Sequence, residues 1–499
     1  MTQTTSDTGI LAGDPRMFVD GELTGATGGA QFDVVHPGNE QVVGTAADGT
    51  VADMDRAIAA ARRAFDETDW STNHEFRIHC LNQFQDALDA ECEELRELLI
   101  QEVGAPRMLT HSAQLDVPLN HSLRHPISMI STWEWERDLG EAISIQGSLD
   151  RRSVVSMAAG VVGAITPWNF PFEVAIIKLA YALATGNTVV LKPAPDTPFN
   201  ATLLGRLIAE RTDIPAGVVN IVTSSDHLRG EQLTLSPLVD MISFTGSTAV
   251  GQGIMERGSR TMKRLFLELG GKSATVVLDD ADLLAASFMG LAVCTHAGQG
   301  CAIPTRMLLP KSHYDEGVNA LIDMMKNVPY GDPQRPDVLQ GPQISAKQRD
   351  RVMGYIQKGQ EEGAKLVLGG GIPTGPEFDN GFFVEPTLFV DVDNSMTIAQ
   401  EEIFGPVLVV TPYEDEDDAV RIANDSRYGL GGGVMAGSFE RAKAVADRLR
   451  TGMVSINGGA PYGADLPFGG FKYSGVGRQN GDAGFAQYLE LKSYAWPAS

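Results

Sequence analysis

From residue 161 onward, short runs rich in β-branched residues alternate with apolar helical runs, and this alternation limits the possible folds more than any other feature. The candidate strands lie at 161–165, 188–191, 218–222 and 241–244, and helical segments lie between them at 174–185 and 200–211. Alternation of this kind predicts an α/β fold with a parallel sheet covered by helices. Such sheets bind nucleotides at the carboxyl ends of their strands.

The flanking segments predict further elements. Residues up to about 49 are rich in Gly, Val and Thr and favour short strands and turns, whereas apolar residues at helical spacing predict helices around 54–65 and 78–88. A second α/β set begins near Thr275 with a strand and a helical stretch at 281–296. Weak alternation at 488–491 predicts an edge strand that pairs with a partner subunit.

Length, composition and charge narrow the class of protein. A chain of 499 residues predicts two or three domains. Its 43% hydrophobic and 21% charged residues are typical of a globular protein with a large core. The formal net charge of -25 repels nucleic acid and anionic membrane surfaces, so we expect neither as a partner.

The four cysteines and the termini indicate the compartment. None of Cys80, Cys92, Cys294 and Cys301 forms a CxxC pair or a metal-ligand spacing, so no metal site and a reducing cytoplasm are expected. The N-terminal residues lack a basic segment followed by an apolar one, which argues against a secretory signal. The longest mostly apolar stretch, 154–167, is too short for a transmembrane span.

Cys301 is the first candidate for chemistry. Gly298 and Gly300 flank it where the helical pattern ends, and small neighbours let a substrate approach closely. A thiol at such a turn is a candidate nucleophile. The competing interpretation is a buried structural cysteine.

Two further side chains are candidates. Glu268 lies between two leucines and before a glycine pair, so burial would raise its pKa and suit it to general-base work; a surface glutamate on a strand is the alternative. Asn169 lies in a loop that Pro167 and Pro171 restrict, where its amide could donate to an oxyanion or simply cap a turn.

The loop 244–248 is a candidate phosphate-binding turn. It follows a strand and precedes a helix, so its N–H groups would attract phosphate, and Ser247 is a candidate N-cap. It is not a GxGxxG motif, and ordinary strand–helix turns have similar sequences.

Taken in order, these motifs resemble those of the aldehyde dehydrogenase superfamily, of the non-phosphorylating, hydrolytic type that uses NAD(P). The resemblance extends from about Met17 to the C-terminus. Its landmarks are TPWNFP at 166–171, LKPA at 191–194, FTGS at 244–247, LELGGK at 267–272, GQGC at 298–301, EEIFGPV at 401–407 and PFGGFKYSGVGR at 467–478.

The resemblance implies roles for particular residues. Cys301 is implied to be the nucleophile that forms a thiohemiacetal and then a thioester, Glu268 the general base and Asn169 the oxyanion donor, where one such donor is typically worth about 3 kcal/mol. The cofactor residues implied are Trp168, Lys192, Thr245, Gly246, Ser247, Glu402 and Phe404. The cofactor is expected to be NAD, with NADP as the alternative.

The resemblance also implies an architecture. We expect a Rossmann-like cofactor domain at 17–138 and 158–266, an α/β catalytic domain at 267–470 and a β oligomerisation element at 139–157 and 483–499. A homodimer or homotetramer is expected, joined through a hairpin near 141–155 and the C-terminal strand.

Departures from the pattern bear on specificity. Pro195 replaces an acidic residue that favours NAD in many relatives, although Asp196 is adjacent and no further Arg or Lys is expected nearby. Val174 and Ile177 are smaller than the residues that relatives often have, and Tyr462 matches an aromatic wall. The small side chains of Val174 and Ile177, together with Gly300, predict a wide tunnel for an apolar, aromatic or branched aldehyde rather than a small charged one.

Three alternatives remain at this point. A CoA-acylating relative would transfer the acyl group to CoA, but such relatives generally lack the base that Glu268 matches. A catalytically silent scaffold of the lens-protein kind is disfavoured by intact Cys301, Glu268 and Asn169. A phosphorylating relative would use phosphate as the acceptor.

Overall fold

The computed structural model describes residues 13–498. Its strands are β1 (Met17–Val19), β2 (Glu22–Thr24), β3 (Gln31–Val35), β4 (Val42–Ala47), β5 (Glu136–Ile143), β6 (Leu149–Ala158), β7 (Val161–Ile165), β8 (Thr188–Lys192), β9 (Val219–Ile221), β10 (Met241–Thr245), β11 (Arg264–Glu268), β12 (Ala274–Val277), β13 (Arg306–Pro310), β14 (Lys365–Leu368), β15 (Thr387–Val390), β16 (Val407–Tyr413), β17 (Gly431–Met435), β18 (Met453–Ile456), β19 (Gly475–Val476) and β20 (Leu489–Pro497).

The helices lie between and around these strands. They are α1 (Val51–Glu67), α2 (His74–Ala90), α3 (Cys92–Val103), α4 (Arg107–Thr110), α5 (Asp116–His121), α6 (Arg124–Thr132), α7 (Pro171–Ala184), α8 (Phe199–Arg211), α9 (Leu228–Leu235), α10 (Thr248–Gly258), α11 (Leu283–Leu291), α12 (Tyr314–Met325), α13 (Ala346–Glu361), α14 (Thr397–Gln400), α15 (Glu416–Asn424), α16 (Phe439–Ala446) and α17 (Gly481–Gln487).

The first large sheet has eight strands in the order β19-β11-β10-β7-β8-β9-β1-β2. The five strands from β11 to β9 are parallel to one another, and β19, β1 and β2 pair antiparallel at the two sides. Val162 belongs to one buried cluster and Val161 to another. Because side chains alternate across a strand, the two clusters cover opposite faces of the sheet.

The second large sheet has seven strands in the order β14-β15-β16-β13-β12-β17-β18, parallel except for the pair β14 and β15. Helices cover it on both faces as well: Val276 joins one buried cluster and Val277 the other. The α/β fold with parallel-containing sheets predicted from the alternation is therefore confirmed.

A smaller antiparallel sheet, β20-β6-β5, brings the C-terminal strand beside the hairpin. Most of β20 is exposed, and Leu491, Tyr494 and Trp496 present 69%, 46% and 43% of their surface to solvent. The hairpin tip is apolar too, because Ile143 and Ile145 are exposed. This sheet therefore exposes several large apolar side chains, as surfaces that contact another protein often do.

Candidate active site

The carboxyl ends of three adjacent parallel strands bring the candidate residues to one edge of the first sheet. In the register, Phe244 of β10 pairs with Ile165 of β7, and Thr245 pairs with Glu268 of β11. The loop that carries Asn169 follows β7 directly, and Glu268 is the last residue of β11. Residues separated by a hundred positions therefore meet at this edge because parallel strands end together.

The turn before Cys301 is tight and differs from the predicted helix at 281–296. Helix α11 ends at Leu291, and the following 3-10 segment is interrupted where His296 and Ala297 have φ of 50° and 52° and Gly298 has 72°. A Cβ on Gly298 would lie 2.0 Å from the Gly405 carbonyl oxygen, so only glycine fits there. The helix prediction is wrong for this part because apolar periodicity does not reveal a left-handed turn.

Gln299 anchors this turn. Its side-chain oxygen accepts from the Ile344 N–H at 2.9 Å, and its side-chain nitrogen donates to the carbonyl oxygens of Pro342 and His296. The bonds to Pro342 and Ile344 hold the residue two positions before Cys301 against the segment 342–344. The thiol that follows is half-buried rather than sealed inside the core.

Cys301 and Glu268 shift each other's pKa. Loss of hydration raises the pKa of Glu268 to about 8, while the Cys301 thiol and the Lys178 ammonium lower it. Loss of hydration, followed by Glu268, raises the pKa of the Cys301 thiol, and the charges of Glu402 and Glu173 add to that rise. In the described part of the chain, Oε1 of Glu268 is buried without a hydrogen-bond partner, so it is available to take a proton.

Asn169 is buried beside the nucleophile turn. Its side-chain Nδ2 donates to the backbone carbonyl oxygen of Gln299 at 2.9 Å. Its backbone carbonyl oxygen accepts from Nε2 of Gln114, also at 2.9 Å. An amide nitrogen carries two donors, so one N–H remains for another acceptor. The position suits the predicted oxyanion role, because the orientation of the amide is set by the turn that carries Cys301.

Lys178 was not singled out from the sequence, although it contributes to the site. It is fully buried on α7, donates to Oγ of Ser243 at 3.1 Å and lies 4.8 Å from the centre of the Phe266 ring. Burial lowers its pKa to about 7, and Glu268 opposes that shift. A lysine within the apolar run AIIKLAYALA was the available signal, since lysine is rarely buried without a partner.

The phosphate-binding candidates form a turn at the start of α10. Ser247 is the N-cap, and its Oγ accepts from the Val250 N–H at 3.4 Å. The Gly246 N–H donates to the Glu268 carbonyl oxygen at 3.0 Å, so this turn is joined to the strand that carries the base. Oγ1 of Thr245 is buried without a partner in the described residues and could accept or donate to a ligand.

Lys192 is the last residue of β8 and lies at the same edge of the first sheet. Its Nζ makes only long hydrogen bonds, to the carbonyl oxygens of Pro193 at 3.2 Å and Ser224 at 3.5 Å, and burial lowers its pKa to about 8. The expectation that no further cation lies nearby is wrong. The charge of Arg229 acts on Lys192, and the charge of Lys347 acts on Asp196, because folding brings distant segments here.

The remaining cofactor candidates come from the loop after β7 and from the segment before β16. The rings of Trp168 and Phe404 are perpendicular at 5.4 Å between centres, and Phe404 has a φ of 62°. Oε1 of Glu402 accepts from the Gly271 N–H at 2.8 Å, and loss of hydration raises the pKa of Glu402 to about 7. A Cβ on Gly270 would lie 2.3 Å from this carboxylate, so the glycine pair makes room for it.

The candidate tunnel residues differ in exposure. Val174 is half-buried, Ile177 is buried in the core of the first sheet, and the Tyr462 side chain is 38% exposed. The Tyr462 hydroxyl donates to Oε1 of Glu173, a residue that the sequence reasoning missed. A glutamate in the first turn of a helix is usually explained by its favourable interaction with the helix dipole. Its position in the sequence therefore gave no sign of this contact.

The pKa of Glu268 predicts an unusual pH dependence. A carboxyl whose pKa is raised keeps its proton up to about pH 8, so the base form grows as the pH rises through that value. We therefore expect kcat/KM for a neutral aldehyde to rise along an acid limb near pH 8. Steady-state rates across the pH range test this, and a limb near pH 4.5, the value of an ordinary glutamate, would contradict it.

Comparison with known proteins identifies the family. The family model described as "Aldehyde dehydrogenase family" matches residues 24–494. A 3-succinoylsemialdehyde-pyridine dehydrogenase from Pseudomonas sp. is 42% identical over 95% of this chain and 97% of its own length. The chain therefore belongs to the aldehyde dehydrogenase family, and its resemblance to that family is confirmed.

Two solved structures show the same architecture. An aldehyde dehydrogenase of Mycobacterium tuberculosis complexed with NAD+ superposes with a TM-score of 0.92 at 40% identity, over 97% of this chain and 98% of that one. A betaine aldehyde dehydrogenase of Staphylococcus aureus in complex with NAD+ superposes with a TM-score of 0.91 at 33% identity, over 97% and 95% of the two chains. The fold is thus that of aldehyde dehydrogenases solved with NAD+ bound.

Residues 13–498 lack two further features, a membrane-spanning helix and a metal-binding cluster. No helix there has both the length and the hydropathy needed to cross a bilayer. Nor does that part of the chain group three or more His, Cys, Asp or Glu side chains so that they could hold a metal ion.

Proposed function

We propose that this chain oxidises an aldehyde to the carboxylic acid with NAD, through a thiohemiacetal and a thioester on Cys301. The observation that supports the proposal is that the Cys301 turn, to which the Asn169 amide donates, lies beside the glycine pair that follows the buried Glu268, and that Cys301 and Glu268 each shift the pKa of the other. Relatives solved with NAD+ support the choice of cofactor.

The residues of the cleft fit a dinucleotide. The amino end of α10 and the Ser247 turn suit a pyrophosphate, and Lys192, held by two long hydrogen bonds, suits ribose hydroxyls. Glu402 and Phe404, beside Trp168, would hold the nicotinamide end. NAD bound there would supply the two-electron oxidant.

The chain's own groups account for the other steps. Glu268 takes the thiol proton, and the sulfur adds to the carbonyl carbon of the aldehyde. The free N–H of the Asn169 amide and the Cys301 backbone N–H donate to the oxyanion. After oxidation, Glu268 releases the thiol proton to solvent and then takes a proton from water, which attacks the thioester carbon; the carbon–sulfur bond breaks, the acid leaves and the sulfur is regenerated.

Measuring reduced nicotinamide over a panel of aldehydes, with NAD and NADP in parallel, tests the proposal. We expect turnover with NAD and a preference for apolar, aromatic or branched aldehydes, since Val174 and Ile177 are smaller than the residues that many relatives have. The charge of Arg229 acts on Lys192 and the charge of Lys347 acts on Asp196, and these two cations are the reason to include NADP. Absence of turnover with every aldehyde would leave the scaffold interpretation.

A CoA-acylating reaction is the second candidate, and the same assay separates the two. Glu268 supports water as the acceptor, because a buried carboxyl with a pKa near 8 suits a general base that activates water. We expect CoA to leave the rate unchanged and free acid to be the product. Stimulation by CoA with formation of an acyl-CoA would reverse the assignment, and stimulation by phosphate would favour the phosphorylating alternative.

The proposed architecture follows the predicted division into a cofactor domain at 17–138 and 158–266, a catalytic domain at 267–470 and an oligomerisation element at 139–157 and 483–499. The eight-stranded and seven-stranded sheets support the first two units, although β11 extends to Glu268 and β19 also joins the first sheet. A cytoplasmic location is part of the proposal, and the four free cysteines support it.

The exposed apolar hairpin predicts assembly into a homodimer or homotetramer. Replacing both Ile143 and Ile145 with aspartate is expected to reduce the mass in solution to that of a single chain, because charge would enter a buried contact. Light scattering after gel filtration measures this. The control is Met262→Asp, which charges another exposed residue outside the hairpin. An assembly that survives the double substitution would show that the hairpin does not hold it together.

A further inference from the structure

His296 is a buried histidine that the proposed mechanism does not use. Its side chain is fully buried, and within residues 13–498 neither ring nitrogen has a hydrogen-bond partner. Buried polar groups without partners are rare, because each loses its hydrogen bonds with water and gains none in return. A residue of this kind in the turn before Cys301 therefore needs an explanation.

The backbone of His296 is held in an uncommon conformation by the same residue that orients Asn169. Its φ of 50° lies in the left-handed region, which histidine adopts more often than most residues do. Its carbonyl oxygen accepts from the backbone N–H of Gln299 at 3.1 Å and from Nε2 of Gln299 at 3.2 Å. The backbone carbonyl oxygen of Gln299 in turn accepts from the Asn169 amide. The turn that fixes the imidazole thus also orients the oxyanion donor.

The ring of His296 packs against the loop that carries Asn169. It lies edge-on to the ring of Phe170, the next residue of that loop, with 5.4 Å between ring centres and 68° between ring planes. Burial lowers the pKa of His296 to about 4, and the backbone of Asn169 partly opposes that shift. The ring is therefore neutral near pH 7 and carries a single N–H donor.

The backbone carbonyl oxygen of Asn169 can accept a further hydrogen bond. It accepts from Nε2 of Gln114 at 2.9 Å, which is its one hydrogen bond in the described part of the chain. A carbonyl oxygen has two lone pairs, so one remains. A buried N–H without an acceptor and a carbonyl with a free lone pair thus belong to neighbouring groups. Such bonds are often long or badly aligned in an enzyme without its substrate and shorten when substrate binds.

We propose that His296 is a positioning residue that donates its ring N–H to the Asn169 carbonyl oxygen and, with Gln114, keeps the Asn169 amide aligned with the Cys301 sulfur. This inference rests on the proposed oxidation of aldehydes and adds a residue to it. His296 touches neither aldehyde nor cofactor and acts through Asn169. Small errors in the placement of a catalytic group are costly, so the loss of this bond should slow addition to the aldehyde carbonyl.

Two reactions of the Cys301 sulfur separate this role from a general one in shaping the turn. Addition to an aldehyde creates an oxyanion, whereas alkylation by iodoacetamide displaces iodide and creates none. We expect His296→Phe, which retains an aromatic ring beside Phe170, to lower kcat/KM for the best aldehyde of the panel by about tenfold. The rate constant for alkylation of Cys301, followed by mass spectrometry of its peptide, should stay within about twofold of the parent value.

Further variants make the test independent of how well phenylalanine fits a left-handed position. Gln114→Met removes the other donor to the Asn169 carbonyl oxygen, so it is expected to lower kcat/KM while leaving the alkylation rate unchanged. His296→Asn and His296→Gln place an amide N–H near the positions of the two ring nitrogens. At least one of them is expected to retain more than about a third of the parent kcat/KM, because an amide can replace the donor.

His36→Phe is the matched control, since His36 is a buried histidine between β3 and β4. It is expected to leave the ratio of kcat/KM to the alkylation rate constant at the parent value. A parent-like ratio in His296→Phe or in Gln114→Met, equal loss of both reactions, or failure of both amide variants overturns the inference. If the parent protein oxidises an aldehyde and these tests fail, only the inference is lost; if it oxidises none with NAD or NADP, the proposed function itself fails.

Discussion

Replacing Cys301 with serine is expected to lower kcat by about 10⁴-fold, in the range found when a covalent nucleophile is removed. Serine is nearly the same size, so the turn held by Gln299 and Gly298 should keep its shape. The hydroxyl, however, holds its proton far more tightly than a thiol, and Glu268 cannot remove it at the same rate. Steady-state formation of reduced nicotinamide measures the loss.

Cys92→Ser is the matched control for this experiment. Cys92 is half-buried at the start of α3, and Nη2 of Arg96 donates to its sulfur at 3.6 Å. Its replacement is expected to leave kcat at the parent value. If Cys301→Ser turned over as fast as the parent protein, covalent catalysis by this residue would have to be abandoned.

Replacing Glu268 with glutamine is expected to lower steady-state kcat by about 10²- to 10⁴-fold. Glutamine keeps the shape of the side chain but cannot take a proton from the thiol or from water. If water activation is the slower of the two steps, the first turnover still produces reduced nicotinamide, and a thioester accumulates on Cys301. Rapid mixing shows the burst, and intact-protein mass spectrometry shows the acyl group.

The control for the base is Glu67→Gln, which removes one carboxylate from the surface. It is expected to show parent kinetics and no accumulated acyl group. A Glu268→Gln protein with unchanged steady-state turnover would show that another group acts as the base, and Lys178, buried with a pKa near 7, would be the first to examine.

Much of the fold was predictable because strand and helix signals alternate clearly. β7 and β10 lie within one residue of their predicted bounds, since fully buried strands give continuous apolar runs. The motifs around Cys301, Glu268 and Asn169 also identified the family. Their meeting at one sheet edge, in contrast, depends on strand order, which the local pattern does not contain.

Other parts of the site could not be read from local sequence. The left-handed residues His296 and Ala297 interrupt a helix whose apolar pattern gave no warning. Arg229 approaches Lys192 from α9, a contact that requires the tertiary fold. Glu173 is in an ordinary position for a first-turn glutamate, and its contact with Tyr462, 289 residues away along the chain, requires the tertiary fold.

The close approach of Gly298 to Gly405 links two functions that are far apart along the chain. Gly405 directly follows Phe404, so the loop that we propose to hold the nicotinamide end rests against the turn that precedes Cys301. This contact leaves no room for a methyl group on Gly298. It would therefore fix the position of the nucleophile relative to the oxidant. Val174 and Tyr462, the residues that we expect to line the tunnel, lie on other segments, so their substitution in evolution or design would leave that alignment unchanged.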